Sequence, residues 1–216
     1  MTIFALLIKI FLFTQHPFVL QEGDLLFQDV DCGPFCDAIE KVTVGFQGAD
    51  LSHVGIVIIN ESGEWQVIEA TTKGVIVTPI SGFLEKSLDK NGKPKVLVGR
   101  MKEEYKYLIP EAKKYAQQLL GKNYDDVFDV SNDSYYCSEL VYEAFKFANG
   151  DVPIFILYPM TFVDPDTKQT FGIWADYYRN LGVQIPEGEL GLNPGGISRS
   201  DKLDIVYDYQ KGLLSK

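Results

Sequence analysis

The sequence predicts one domain in which an antiparallel meander of strands comes first and the main helices follow. Short runs rich in Val and Ile alternate with turn sequences between residues 23 and 99. Apolar residues recur at spacings of three and four in the segments that begin at Pro110 and Cys137. The chain has 216 residues, of which 46% are hydrophobic. That is enough for one well-buried core and short of two comfortable domains.

The strands are predicted from β-branched runs that end at turn residues. The clearest pair flanks a Glu-Ser-Gly-Glu turn at 61–64, which predicts a hairpin. In chain order, the predicted turn-and-strand segments cover residues 23–28, 51–60, 65–70, 75–78, 95–99 and 203–207.

The helices are predicted from apolar periodicity and from their end signals. Pro110 suits the first turn of a helix, and Gly121 and the Asn-Gly pair at 149–150 suit helix ends. Residues 184–200 are rich in Pro and Gly, which predicts a long loop. In chain order, the predicted helices cover residues 37–44, 81–87, 110–120, 137–148 and 171–180.

The first twenty residues differ in composition from the rest. Residues 3–13 are apolar except for Lys9, a run too short to span a bilayer comfortably but typical of a signal-peptide apolar region. We therefore predict a signal segment at 1–20 and one folded domain at 21–216. Export to the periplasm or cell envelope follows from that prediction. A buried N-terminal strand or helix and an uncleaved anchor are the alternatives.

The net charge of the chain limits the kinds of partner that it can bind. A formal net charge of −10 and a pI near 4.7 argue against a nucleic-acid partner, which would require a basic stripe.

Three cysteines are too few for a disulfide framework. Cys32 and Cys36 flank a Gly-Pro turn, and we interpret them as small structural residues. A local disulfide is an alternative in an exported protein. A metal site is another, but it would have to recruit Cys137 and His53 as further ligands.

Cys137 is the candidate nucleophile. It lies in the first turn of a predicted helix, where unpaired N–H groups and the helix dipole stabilise a thiolate. His53 is the candidate base, because the other histidine, His16, lies in the N-terminal segment. Each also has an ordinary interpretation. Free cysteine is often a buried core residue, and a lone histidine on a strand is usually a satisfied core or surface group.

Glu69 is the candidate third member. If the predicted strands pair around the 61–64 turn, His53 and Glu69 lie near the open end of the hairpin. The carboxylate could then meet the imidazole across the sheet and orient it. The alternative is a glutamate that faces solvent.

Four motifs in one order resemble the NlpC superfamily of papain-like cysteine peptidases. They are Gly-Asp-Leu-Leu-Phe at 23–27, Ser-His-Val-Gly-Ile-Val at 52–57, Ile-Glu-Ala at 68–70 and Tyr-Cys-Ser-Glu-Leu-Val at 136–141. Ordinary members have the Cys helix first, whereas here it comes last. That order resembles the circularly permuted branch and its YiiX/YebB-like group. The resemblance covers most of residues 22–210, including Asn-Pro-Gly-Gly-Ile-Ser at 193–198.

The resemblance implies a permuted papain-like α+β fold, with an antiparallel barrel-like sheet packed against helices that include the nucleophile helix. It implies Cys137 as nucleophile, His53 as base and Glu69 as the polar third member, where ordinary members commonly carry His, Asn or Gln. The oxyanion would be held by the Cys137 N–H and a second donor, for which Tyr136 and Gln28 are candidates. No cofactor is implied.

The predicted function is therefore a cysteine hydrolase that works through an acyl-enzyme. The resemblance suggests amide bonds in peptides, or lipid-linked amides and esters, because permuted relatives include lecithin retinol acyltransferase-like enzymes. The aromatic stretch at 155–160 would line an apolar acyl pocket or, more simply, pack beneath a loop. The alternative function is a catalytically idle lipid- or peptide-binding module of the same fold.

Overall fold

The computed structural model describes residues 18–214, so most of the predicted signal segment lies outside the described residues. Within that range, no helix is long and apolar enough to cross a membrane. Six α-helices are described: α1 Pro34–Val42, α2 Ile80–Leu84, α3 Ile109–Gln118, α4 Cys137–Ala148, α5 Gly172–Leu181 and α6 Pro194–Ser198. The strands are β1 Leu25–Gln28, β2 His53–Ile59, β3 Trp65–Thr71, β4 Gly74–Pro79, β5 Val96–Met101, β6 Tyr158–Pro159, β7 Leu190–Gly191, β8 Leu203–Asp208 and β9 Gly212–Leu213.

Seven strands form one antiparallel sheet in the order β4-β3-β2-β1-β5-β8-β9. The β2–β3 hairpin turns at the predicted Glu61–Glu64 segment and pairs Ile56 with Ile68. The order has two ends, so the sheet is open within the described residues and barrel-like only loosely. β6 and β7 form a separate two-stranded ribbon.

Successive side chains along each strand point to opposite faces of the sheet, and each face packs a hydrophobic core of its own. The first core packs Ile56 and Ile68 against Leu140 of α4. The second core, on the other face of the sheet, packs Val57 and Val67 against Phe83 of α2. A third core joins α1 to α5 through buried residues that include Ala38, Phe162, Trp174 and Tyr178. Burial on both faces explains why the strands are almost continuously apolar.

Three sequence predictions need correction. Cys32 and Cys36 form a disulfide, which was the alternative prediction, so the favoured interpretation as small structural residues was wrong. The bond closes over the start of α1, which begins at Pro34, three residues before the predicted start. The predicted loop at 184–200 contains β7 and α6, and the side chain of Asn193 caps α6 by accepting the Gly196 N–H at 2.7 Å.

Candidate active site

Cys137 is the first residue of α4 and one of the residues of the first core. The helix starts there because Tyr136 has extended backbone dihedrals, and its N–H donates to Glu139 Oε2 at 3.2 Å. Burial raises the pKa of Glu139 to about 9. The first turn therefore carries no carboxylate charge at neutral pH, and its free N–H groups remain available to an anion.

His53 lies at the start of β2, and its side chain shares a sheet face with Val57 of the second core. Cys137 approaches from the first-core side, so the two side chains meet at the end of the strand. The imidazole hydrogen-bonds through Nε2 to Glu69 Oε2 at 2.6 Å, and it lies near enough to the Cys137 thiol for each group to shift the pKa of the other. Because Nε2 is occupied by the carboxylate, Nδ1 is the ring nitrogen left for the sulfur.

Glu69 is fully buried, so the alternative of a solvent-facing glutamate was wrong. Its second oxygen, Oε1, accepts hydrogen bonds from the Thr78 hydroxyl and from Lys86 Nζ. All three partners stabilise the charged form, and they outweigh the desolvation that would raise the carboxyl pKa. The result is a pKa of about 2 for Glu69.

The electrostatics of the pair favour a thiolate and an imidazolium. Burial by itself would lower the pKa of His53, but hydrogen bonds to Cys137 and Glu69 raise it to about 9. Burial would raise the pKa of the Cys137 thiol, but the His53 hydrogen bond and charge lower it, with help from Ser138 and the Val54 N–H. A cysteine with a depressed pKa beside a positive imidazole is the form that attacks carbonyl carbon.

Gly55 explains why glycine follows the histidine in this motif. The β2–β3 register, which pairs Ile56 with Ile68, places Gly55 opposite Glu69. A Cβ at Gly55 would lie 2.4 Å from Val67 Cγ1 and 3.3 Å from Glu69 Cβ. Only glycine leaves room for the carboxylate to reach diagonally across to the imidazole.

A cavity of about 310 Å³ opens beside Cys137. Met160, Leu192 and Pro194 contribute apolar surface, and polar groups include Thr161 and Asn193. Six further lining residues are aromatic: Tyr124, Phe128, Tyr136, Tyr158, Phe162 and Trp174. The cavity suits an apolar group held next to the nucleophile.

The aromatic stretch at 155–160 divides between the two predicted roles. Phe155 packs edge-on against Phe145 in the first core, with ring centroids 5.7 Å apart. Tyr158, Pro159 and Met160 line the cavity. The segment therefore divides between core packing and the lining of the cavity beside Cys137.

Comparison with known proteins identifies the family. Residues 19–207 match the model of the permuted papain-like amidase enzymes of the YaeF/YiiX, C92 family. The chain belongs to this family. It is 32% identical over 153 residues to the uncharacterized protein YiiX of Escherichia coli strain K12, a match that covers 68% of this chain and 67% of YiiX.

A solved structure supports the fold assignment. The crystal structure of metalloprotein yiiX from Escherichia coli O157:H7 matches with a TM-score of 0.69 and 25% identity. The match covers 87% of this chain and 97% of that one. The YiiX-like resemblance and the permuted papain-like fold predicted from the motifs are therefore confirmed.

The metal-site alternative finds no support in the geometry. Cys32 and Cys36 are bonded to each other, and a disulfide sulfur is not a thiolate ligand. Among residues 18–214, no group of three or more His, Cys, Asp or Glu side chains is arranged to hold a metal ion.

The structure distinguishes between the two candidates for the second oxyanion donor. Gln28 lies outside the cavity, and its side-chain amide donates to Phe83 O at 2.7 Å and to Ser87 Oγ at 3.2 Å. Tyr136 lines the cavity, and its hydroxyl accepts the Leu192 N–H at 3.2 Å.

Tyr124 is a third candidate, which sequence reasoning missed. It lines the same cavity, and burial followed by the charge of Cys137 raises the pKa of its hydroxyl. It lies in the polar loop before α4, where Asp125 accepts the backbone N–H groups of Val127 and Asp129. No motif marks Tyr124, because only the folded loop brings it to the sulfur.

Proposed function

We propose that this protein is a cysteine amidase in which Cys137 is the nucleophile, His53 the acid and base, and Glu69 the group that orients and charges the imidazole. The observation that carries this proposal is the placement of His53, whose Nε2 meets the buried Glu69 carboxylate at 2.6 Å and whose ring lowers the pKa of the Cys137 thiol. Membership of an amidase family supports the same reaction class.

The reaction begins from the thiolate and imidazolium. The sulfur attacks the amide carbonyl, and the oxyanion accepts hydrogen bonds from the Cys137 N–H and the Tyr124 hydroxyl. As the C–N bond breaks, the imidazolium gives its proton to the leaving nitrogen, which departs as an amine and leaves a thioester. His53 then takes a proton from water, and the hydroxide attacks the thioester carbonyl. Breaking the C–S bond releases the carboxylic acid and restores the ion pair.

An apolar acyl group is the proposed occupant of the aromatic cavity. Aromatic and aliphatic side chains form most of its wall, and they favour hydrocarbon or aromatic groups over polar ones. Lipid-linked amides and peptides with apolar residues share this feature, and both belong to the proposed substrate class.

We further propose that the protein works outside the cytoplasm, in the periplasm or at the cell envelope. The Cys32–Cys36 disulfide supports this placement, because such bonds persist in oxidising compartments.

The test combines turnover with trapping of the acyl-enzyme. Purified protein is offered coumarin amides of octanoic acid, of phenylbutanoic acid and of short apolar peptides, and 4-nitrophenyl octanoate serves as a trapping ester. We expect release of coumarin from at least one amide and, on rapid acid quench, a mass increase of one acyl group on the peptide that contains Cys137.

The controls separate catalysis from binding. Cys137→Ala should abolish both signals, and Ser62→Ala, in the exposed hairpin turn, should change neither. Coumarin release that survives Cys137→Ala would refute the mechanism. Tight acyl binding without any adduct would support the idle binding module instead.

A further inference from the structure

Arg199 occupies an unusual position beside the proposed catalytic cavity. It follows α6 and lines both that cavity and a second one of about 430 Å³. Tyr158 and Leu192 also line both cavities, so these three residues form the boundary between them. The second cavity is otherwise largely apolar, with Phe155 and Ile197 among its lining residues. Within the described part of the chain, its one carboxylate, Asp201, pairs with Lys202 at 3.0 Å.

The charge of Arg199 is not neutralised locally. The chain has three arginines. Arg100 pairs with Asp24 at 2.8 Å and Arg179 with Asp176 at 2.6 Å. Within residues 18–214, no carboxylate lies within ion-pair distance of Arg199.

The other described residues that line the catalytic cavity carry no charge that could neutralise Arg199. The protein carries 30 Asp and Glu residues and a net charge of −10. Even so, no Asp, Glu or Lys among the described residues lines the catalytic cavity, and Arg199 is its one arginine. The charge acts on the cavity wall, because it opposes the burial that raises the pKa of the Tyr158 hydroxyl to about 12. An acidic protein thus presents a positive group, and no carboxylate from residues 18–214, on the wall of the cavity that contains Cys137.

We infer that Arg199 binds a carboxylate on the leaving-group side of the substrate, which makes the preferred substrates N-acyl amino acids with apolar side chains. The inference rests on the proposed function for the position of the scissile amide. The acyl group would fill the aromatic cavity beside Cys137, and the amino-acid side chain would enter the second cavity. The guanidinium between them presents the planar pair of N–H donors that a carboxylate accepts best.

Binding tests this subsite without turnover. The Cys137→Ala variant is titrated calorimetrically with N-octanoyl-leucine and with N-octanoyl-leucinamide, which lacks only the negative charge. We expect the acid to bind roughly three- to tenfold more tightly than the amide, as for a partly exposed charge-assisted hydrogen bond. Added salt should reduce the difference, because it screens an exposed charge.

The same titrations are repeated on double variants that also carry a change at Arg199. With Arg199→Gln, the acid and the amide should bind about equally well. With Arg199→Lys, part of the preference for the acid should remain. Arg179→Gln, which removes an exposed arginine on α5 outside the cavity, should leave the ratio unchanged. Equal binding of the two probes, no binding of either, or a preference that survives Arg199→Gln would overturn the inference. Because these titrations use a variant without the nucleophile, their failure is distinct from failure of the proposed chemistry, which the Cys137 adduct measures.

Discussion

At the scale of single residues, the site depends on one buried carboxylate. Glu69 has no exposed surface, yet it keeps its charge because His53, Thr78 and Lys86 all donate to it. That charge in turn holds a proton on His53, and the protonated ring stabilises the thiolate of Cys137. Each ionised group is thus stabilised by the next, as buried charges must be.

Thiol reactivity should reveal this arrangement. The chain has three cysteines and two are in the disulfide, so the non-reduced protein should take up one iodoacetamide, at Cys137. The reaction should already proceed at mildly acidic pH, because His53 lowers the thiol pKa. Peptide mapping after timed labelling measures the rate. His53→Asn should shift the labelling to higher pH, and a rate that follows an ordinary thiol pKa in both proteins would contradict the ion pair.

The charge of Glu69 should set both the rate and its pH dependence. Glu69→Gln keeps the shape of the side chain but removes the charge, so kcat/KM should fall by about 10²-fold, less than in Cys137→Ala. Catalysis requires the imidazolium, which is lost as pH rises through the His53 pKa of about 9. The alkaline limb of the wild-type profile should therefore lie near pH 9. It should move to lower pH in Glu69→Gln, because the carboxylate helps to raise that pKa.

Glu61→Gln, in the exposed turn of the same hairpin, serves as the matched control and should leave the profile unchanged. An unaltered alkaline limb in Glu69→Gln would show that the carboxylate does not control the imidazole.

At the scale of elements, the short helix α6 shapes the cavity through two glycines. A Cβ at Gly195 would lie 2.5 Å from the Thr43 carbonyl oxygen, and one at Gly196 would lie 1.9 Å from the Tyr158 hydroxyl. The first contact fixes α6 against the end of α1, and the second seats a cavity-lining ring against the helix. The Asn-Pro-Gly-Gly motif thus serves close packing as well as capping.

Gly195→Ala should destabilise the protein, because the backbone of Thr43 cannot yield as a side chain would. We expect the free energy of unfolding to fall by about 1–3 kcal/mol, as for overpacking elsewhere. Gly172→Ala is the matched control. Nothing lies within 4 Å of its added methyl group, and it is the first residue of α5. It should be neutral or stabilising by about 0.5 kcal/mol. Urea unfolding measures both, and equal midpoints for the two variants would refute the packing role.

The elements that sequence reasoning found and missed differ in length and in the range of their contacts. The β2–β3 hairpin and α4 were predicted because their signals are local and periodic. The helix α6 was missed because five residues show no periodicity, although Asn193 and Pro194 are ordinary start signals. Tyr124 and Arg199 were missed for another reason. They reach the cavity through tertiary packing, which no local pattern encodes.

At the scale of the whole molecule, the permuted order separates the proposed catalytic residues along the chain but not in space. His53 and Glu69 lie on β2 and β3 of the meander, and Cys137 lies on α4, which follows the first five strands in the chain. The last long strand, β8, then pairs with β5 and extends the sheet. Family membership and the fold were predictable from motif order, whereas the cavity and its charge required the three-dimensional arrangement.

The predicted boundary near Gln21 can be refined from contacts at the start of the described residues. Phe18 stacks on Tyr207 with ring centroids 4.1 Å apart, and the Val19 carbonyl accepts a hydrogen bond from Arg100 at 3.0 Å. Leu20 packs on the second core. These contacts join the segment to β8 and β5, so we expect residues 18–20 to stabilise the domain.

Two truncated chains test this boundary. A chain that begins at Phe18 should unfold cooperatively. Its free energy of unfolding should be about 1–2 kcal/mol higher than that of a chain that begins at Gln21, since it retains a stacked ring pair and buried apolar area. Phe18→Ala in the longer chain should lower the free energy of unfolding by most of that difference, because it removes the ring and keeps the backbone. Urea unfolding of the three proteins provides the measurement. Equal stability of the two truncated chains would return the boundary to Gln21, and a chain from Phe18 that does not unfold cooperatively would place part of the core in residues 1–17.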